Sequence, residues 1–162
     1  MKTLFTTLVL LFVTLFANAQ DTIKISDFES MNNTSWKGKL TYKDYQSGKQ
    51  ETIPSTMNLK IEGDKIIYSV QYDYEPNKNN ISKVKIKKDG TVFGNEKVIS
   101  FTEENGTKTL VTMYQGKDNG EKADMYVTRV LTDSTYSATK EVQIEGSETR
   151  FVRNKYEYTK IK

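Results

Sequence analysis

The sequence predicts an all-β domain that closes into a single antiparallel up-and-down β-barrel of about eight to ten strands. Three observations lead to this prediction. Apolar and polar side chains alternate with a period of two through almost the whole chain after Gln20. Turn signals such as Asp89-Gly90 and Asn105-Gly106 recur at short intervals. The gaps between the predicted strands are short, which favours pairing between strands that follow one another in the chain.

The first residues have the pattern of a cleavable signal peptide. Lys2 precedes a nearly unbroken apolar stretch over residues 4–16, and Ala17-Asn18-Ala19 gives the small-x-small pattern of a cleavage site. The apolar stretch is shorter than the about 20 residues that span a bilayer, and a membrane anchor is the alternative. We therefore expect cleavage after Ala19, a signal peptide over 1–19, and a single β-barrel domain over 20–162. The protein would be secreted or periplasmic, with no stable membrane insertion after cleavage.

The elements of the domain follow from the alternation and the turns. Residues 26–31 predict a short helical turn, in which Ser26 and Glu29 have capping-box spacing. The first strand, residues 36–45, places Trp36 and Tyr42 on its apolar face. The other predicted strands span approximately 52–62, 65–74, 81–88, 91–95, 97–103, 107–115, 122–132, 135–144 and 149–160. A two-sheet sandwich is the alternative, but it normally needs longer crossovers between its sheets than this chain offers.

The composition excludes several classes of function. The chain has no histidine and no cysteine, so an imidazole base, a Ser-His or Cys-His nucleophile and His-ligated haem or zinc are excluded. Export without cysteine favours a bacterial envelope protein over a disulfide-rich secreted domain. The formal net charge of only +3 argues against a nucleic-acid partner. The acidic turn around Asp118 lacks the periodicity of a calcium loop, so we expect a solvated turn and no metal site there.

Residues near both ends of the domain resemble the calycin group, which comprises lipocalins, fatty-acid-binding proteins and related small barrels. A helical turn precedes a first strand with Trp36, and residues 150–156 of the last strand read Arg-Phe-Val-Arg-Asn-Lys-Tyr. In calycins the first-strand Trp packs against an Arg or Lys of the last strand and closes the barrel floor. The resemblance implies that Trp36 and Arg153 form this contact by cation–π stacking. Arg153 and Tyr156 would face opposite sides of the strand unless a β-bulge intervenes.

Tyrosines and cations on inward parities are the candidate ligand contacts. They are Tyr42, Tyr68, Tyr72, Arg129, Tyr136 and Arg153. Lys140 also lies on the apolar parity of its strand. Phenols lining a cavity would orient a ligand through their hydroxyls; the alternative is that tyrosine is simply favoured in strands and paired across them. An inward cation needs a partner, which is either an anionic group of a ligand or an internal acid such as Asp44 or Glu157.

These observations support one leading hypothesis, a secreted lipocalin-like barrel that binds a small, mainly hydrophobic or amphipathic molecule. Its anionic head would lie near Arg129 or Arg153. The alternative is a non-catalytic structural or interaction protein of the bacterial envelope, with a filled barrel and both arginines neutralised by internal acids. An enzyme is the third hypothesis, and it would need Tyr, Lys or a carboxylate as its acid–base group. We expect a monomer with no cofactor and no catalytic residues.

Overall fold

The computed structural model describes residues 21–77 and 79–161. The predicted signal peptide, residues 1–19, lies outside these ranges, so its cleavage stays a prediction. The described chain forms one closed barrel of antiparallel strands, in which each strand pairs with its neighbours in sequence and the first strand pairs with the last. The predicted up-and-down barrel is confirmed, and the sandwich alternative is wrong.

The strands follow the predicted segments closely. They are β1 (Thr34–Lys43), β2 (Gln50–Glu62), β3 (Lys65–Tyr72), β4 (Asn79–Lys87), β5 (Val92–Phe93), β6 (Glu96–Glu104), β7 (Thr107–Asp118), β8 (Glu121–Leu131), β9 (Thr135–Ile144) and β10 (Phe151–Lys160). A 3-10 helix over Ile25–Met31 precedes β1, and a 3-10 turn over Lys88–Gly90 precedes β5. The tight hairpins form where the sequence predicts them, since Asn105 and Asn119 adopt the positive φ that such turns require.

The cap of the N-terminal helix differs from the predicted one. The main-chain N–H of Lys24 donates to Asp27 Oδ2 at 2.6 Å. Glu29 instead accepts a hydrogen bond from the Asn32 side chain. The predicted Ser26–Glu29 capping box is therefore wrong, because the helix begins one residue earlier than predicted, at Ile25.

A β-bulge in β10 changes which side chains face the barrel interior. The register between β10 and β9 shifts between Val152 and Asn154. As a result Phe151 packs inside the barrel and Asn154 also faces the interior, although the two residues have opposite parity. Arg153 lies in the bulge itself. Sequence analysis left open whether a bulge interrupts the alternation between Arg153 and Tyr156, and the structure contains one.

The N-terminal segment closes one end of the barrel. Phe28 and Met31 are buried, and the Phe28 ring stacks on Phe93 with 5.5 Å between centroids. Polar contacts attach the segment to several strands and to the 3-10 turn. They are Ile23 N–H to Gly90 O (3.1 Å), Lys108 Nζ to Asp27 O (2.8 Å), Lys160 Nζ to Ser30 O (3.2 Å) and Ile61 N–H to Asn32 Oδ1 (2.8 Å). This plugged end is the inner end of the lumen.

The barrel wall has a gap between β4 and β7, at the end away from the N-terminal plug. β5 has two residues, so β4 pairs with it only at Ile86 and Lys87. β6 pairs with β7 only as far as Met113. Within the described ranges, residues 79–84 of β4 and 114–118 of β7 therefore have a strand partner on one side only. Because these two edges face the same gap, the interior can be reached between β4 and β7.

Among residues 21–77 and 79–161, no helix combines the length and the apolar character needed to cross a bilayer.

Candidate ligand-binding site

The barrel encloses a cavity of about 350 Å³ that reaches the gap between β4 and β7. Ser82 of β4, which is exposed, and Tyr114 of β7, which is half-buried, lie at this opening. The volume lies near the lower limit of the about 300–1,000 Å³ typical of small-molecule pockets. The lining residues are Met57, Tyr68, Val70, Ser82, Val84, Phe93, Glu96, Tyr114, Val127, Arg129, Tyr136, Ala138, Lys140, Asn154, Tyr156 and Tyr158.

Arg129 is fully engaged with neighbouring side chains in the lumen. Its Nη1 lies 2.8 Å from Glu96 Oε2, and its Nη2 donates to Glu96 Oε1 at 3.1 Å. Nη1 also donates to the Thr112 hydroxyl at 2.8 Å, and the guanidinium lies over the Phe93 ring at 4.7 Å. The Thr112 hydroxyl in turn donates to Glu96 at 2.5 Å. This closed network neutralises the arginine inside the protein.

Burial and charge explain the protonation of this inner group. Burial disfavours the charged guanidinium, but interactions with Tyr136 and Glu96 outweigh it and raise the pKa of Arg129. Burial also raises the pKa of Tyr136, and it holds the pKa of Tyr68 well above the usual range. Both phenols therefore stay protonated.

The Tyr68 hydroxyl lies beside this network without being bonded into it. It is buried and makes no hydrogen bond of normal length and angle within the described part of the chain, although it interacts with the Tyr136 hydroxyl. Tyr68 packs against the buried cluster that contains Phe93, Tyr136 and the plug residue Phe28, so it lies at the inner level of the cavity. We define the inner polar group as Arg129, Glu96, Tyr68 and Tyr136.

Lys140 lines the same cavity closer to its opening. In the register it lies opposite Val127 of β8 and Asn154 of β10, whereas Arg129 lies opposite Ala138. Its Nζ lies 5.7 Å from the centroid of the Tyr114 ring. No carboxylate of the described residues lies within 4.0 Å of this Nζ. Lys140 therefore brings to the cavity a positive charge that no neighbouring acid compensates.

Phenol pairs join the strands around the cavity. The Tyr72 and Tyr156 hydroxyls are hydrogen-bonded at 2.8 Å, and Tyr158 bonds to the Ser55 hydroxyl at 2.9 Å. The Tyr156 and Tyr158 rings stack with 6.1 Å between centroids. These contacts are the cross-strand pairing that sequence analysis gave as the alternative role of tyrosine. They fix the wall and leave the Tyr68 hydroxyl available.

Arg153 lies outside the cavity, in a contact that closes part of the barrel's open end. Its Nε donates to Asp118 Oδ1 at 3.2 Å, its Nη1 donates to Lys43 O at 2.5 Å, and its guanidinium lies 4.5 Å from the Tyr45 ring centroid. Tyr45 donates its hydroxyl proton to Asp118. The expected solvated turn is therefore wrong for Asp118, which is only 7% exposed because Arg153 and Tyr45 cover it.

The predicted stacking of Trp36 on Arg153 is also wrong. Lys160 of β10 lies opposite Trp36 in the register, and its Nζ is 5.7 Å from the indole ring. Arg153 is near the other end of the same strand, opposite the part of β1 that follows Leu40. The Trp36 N–H donates to the Thr34 hydroxyl at 2.7 Å, and that hydroxyl donates to Met31 O. The barrel floor is thus closed by a last-strand lysine.

The structure brings only part of the predicted set together. Tyr68, Arg129 and Tyr136 line the cavity; Tyr42, Tyr72 and Arg153 do not, although Tyr72 bonds to a lining residue. The predicted internal acids are wrong as well, because Glu96 and Asp118 take the place of Asp44 and Glu157. Glu96 has the parity of buried Val98, a signal that identifies it as inward.

Comparisons with known proteins support the fold. No protein-family model matches the chain, and no curated protein matches it. Rv2717c from M. tuberculosis superposes with a TM-score of 0.60 at 10% identity, over 88% of this chain and 100% of that one. A DUF3598 protein of unknown function from Nostoc punctiforme gives a TM-score of 0.44 at 10% sequence identity. The superposition covers 87% of this chain and 50% of the Nostoc chain. A secretary abundant heat soluble (SAHS) protein from Ramazzottius varieornatus gives a TM-score of 0.40 at 14% sequence identity. The superposition covers 88% of this chain and 100% of that chain. The likeness to Rv2717c is one of fold alone, and the fold is the closed antiparallel β-barrel described above.

Proposed function

We propose that this protein binds a small amphipathic molecule inside the barrel, with an apolar body in the lumen and an anionic group at Lys140. The observation that carries the proposal is the uncompensated Lys140 ammonium in the wall of a cavity of about 350 Å³. Lys140 is half-buried near the opening, so an anion that enters the cavity meets this charge without competition from a neighbouring carboxylate. A ligand carboxylate supplies that anion.

The anionic group binds at Lys140 rather than at the two arginines that sequence analysis favoured. Arg129 already has a carboxylate partner in Glu96, and Arg153 has one in Asp118. A second anion at either arginine would meet a carboxylate of the same sign. Lys140 also lies nearer the gap between β4 and β7 than Arg129 does, so the ligand enters with its apolar body first.

The two other hypotheses receive less support. A filled barrel requires that internal acids neutralise both arginines, and Glu96 and Asp118 do so. It also requires that no cavity of ligand size remains, whereas the barrel has a cavity of about 350 Å³. An enzyme would need an acid–base group free to exchange a proton in the cavity, but Glu96 is held by Arg129 and Thr112, and the Tyr72 hydroxyl bonds to another phenol and not to a carboxylate. We therefore favour a binding protein that is exported by the signal peptide of residues 1–19.

The test compares 3-phenylpropanoate with 3-phenylpropanol by isothermal titration calorimetry. We expect the acid to bind the wild type more tightly than the uncharged alcohol, and Lys140→Met to abolish this preference. Lys37→Met is the matched control, because Lys37 is exposed on the outer face of β1. Equal binding of the acid and the alcohol to the wild type would contradict the assignment of Lys140.

A further inference from the structure

We infer that the ligand carries a second polar group, a neutral hydrogen-bonding oxygen, at the end that enters the barrel first, where it bonds to the Tyr68 hydroxyl. This inference rests on the proposed function and specifies its ligand class. The ligand is then a compact two-ended molecule such as a hydroxylated aromatic acid, rather than a long-chain fatty acid.

The first step is the unpartnered hydroxyl. Buried polar side-chain atoms nearly always have a hydrogen-bond partner, and each exception needs an explanation. The Tyr68 hydroxyl is such an exception within the described residues, and Tyr68 lines the cavity. The Tyr72, Tyr156 and Tyr158 hydroxyls bond to each other or to a serine, so they do not occupy the Tyr68 hydroxyl and leave it for a ligand.

The second step is the position of Tyr68 relative to Lys140. Tyr68 lines the cavity together with Arg129 and packs against the buried cluster at the plugged end, and Arg129 lies opposite Ala138 of β9. Lys140 is two residues further along β9 towards the open end, a step of about 7 Å. The cavity therefore has polar groups at two levels, Tyr68 and Arg129 at the inner one and Lys140 at the outer one. Apolar side chains such as Val84 and Val127 line the same cavity. A ligand that satisfies both levels needs polar groups at both of its ends.

The third step is the charge at each level. Arg129 and Glu96 cancel in the inner group, so an anion placed there would be a buried charge without a counter-charge. Tyr68 stays protonated and offers both a donor and an acceptor. A neutral hydroxyl or carbonyl oxygen matches this environment, whereas the anionic end matches Lys140. The methyl end of an alkyl chain would leave the Tyr68 hydroxyl unpaired.

The experiment uses the 4-hydroxyphenyl and phenyl derivatives of acetate, propanoate and butanoate, with dissociation constants measured by calorimetry on the full barrel domain. At the chain length that fits best, we expect the hydroxylated acid to bind the wild type about tenfold more tightly. Tyr68→Phe should remove this preference while leaving the affinity for the phenyl acid unchanged. Tyr126→Phe is the control, since Tyr126 lies on the outer face of β8 under Arg150.

The outcomes separate the inference from the proposed function. Phenyl and hydroxyphenyl acids that bind equally to the wild type would overturn the inference and leave the binding function intact. A preference for the hydroxylated acids that survives in Tyr68→Phe would overturn it as well. Absence of binding by every acid would contradict the proposed function and the inference together.

Discussion

Arg129 and Lys140 face the same lumen in different electrostatic surroundings. The side chains of Arg129 and Glu96 are only 14% and 20% exposed, and they form a bidentate pair. Breaking such a pair leaves one charge buried without a partner, which costs more than the pair itself contributes. Lys140, by contrast, has no carboxylate of the described residues within 4.0 Å, and under the proposed function a ligand supplies its counter-charge. The two cations therefore respond differently to mutation.

We predict that Glu96→Gln lowers the free energy of unfolding by about 3 kcal/mol, because it strands the buried charge of Arg129. The matched control is Glu157→Gln on the outer face, where the pair with Lys155 is half exposed and its loss should cost less than about 1 kcal/mol. Urea unfolding monitored by circular dichroism measures both. Equal losses in the two variants would show that Arg129 does not depend on Glu96.

Parity predicts part of the site and fails where the backbone is irregular. Tyr68, Arg129 and Tyr136 lie in regular stretches, so their inward parity is enough to place them at the cavity. Arg153 lies in the bulge of β10, and its orientation depends on contacts with Asp118 and Tyr45, far away in sequence. Sequence patterns carry no information on which acid meets which cation across the barrel.

At the scale of elements, Gly38 marks a close approach between β1 and β10. A Cβ at this position would lie 1.9 Å from the Glu157 carbonyl oxygen and 2.7 Å from the Tyr158 ring. The barrel closes through the pairing of these two strands, with Gly38 opposite Tyr158. The ring of Tyr158 thus covers a glycine that leaves room for it.

We predict that Gly38→Ala lowers the free energy of unfolding by about 3 kcal/mol, at the upper end of the overpacking range, because the clash involves main-chain atoms that cannot turn aside. Gly116→Ala in β7 is the control, since its Cβ would meet its nearest neighbours at an ordinary 3.6 Å. Thermal and urea unfolding of the two variants provide the comparison. A similar stability for both would mean that β1 and β10 are less closely packed than described.

The N-terminal helix is an element whose role as a plug depends on buried contacts. We predict that Met31→Ala, at a side chain that is 0% exposed, lowers the free energy of unfolding by about 2–5 kcal/mol. Met113→Ala, at a partly exposed residue of β7, should cost much less. Equilibrium denaturation measures both losses. If Met31→Ala costs no more than Met113→Ala, the helix does not seal the barrel.

The strands could be predicted well because alternation and turns are local signals. The two-residue β5 and the open edge it leaves between β4 and β7 could not, since the predicted segments 81–88, 91–95 and 97–103 suggest a continuous wall. The length over which two strands actually pair is set by the twist and closure of the whole barrel. The entrance to the cavity is therefore a property that only the folded molecule reveals.

At the scale of the whole molecule, the buried phenols make stability sensitive to high pH. Burial, and for Tyr45 also its bond to Asp118, raises the pKa of Tyr45 and Tyr158 from 10.0 to about 12. Between pH 10.0 and about pH 12 these tyrosines lose their hydroxyl protons in the unfolded chain but retain them in the folded protein. The folded state then binds more protons, so stability falls as pH rises.

We predict that the urea midpoint is constant up to about pH 9 and falls steadily as the pH rises from 10.0 towards about 12. Phenolate absorbance should show that Tyr45, Tyr158 and the buried Tyr68 and Tyr136 titrate late in the folded protein. The same residues should titrate normally in urea. A midpoint that does not change over this range would contradict the burial of these hydroxyls.

The most direct measurement of the central claim, that the lumen binds a small amphipathic molecule, is a crystal structure of the complex with 3-(4-hydroxyphenyl)propanoate. We expect its carboxylate at Lys140 Nζ, its ring among Val70, Phe93 and Val127, and its hydroxyl bonded to Tyr68. A ligand found only on the outer surface, or a lumen filled by side chains with no room for it, would contradict the account.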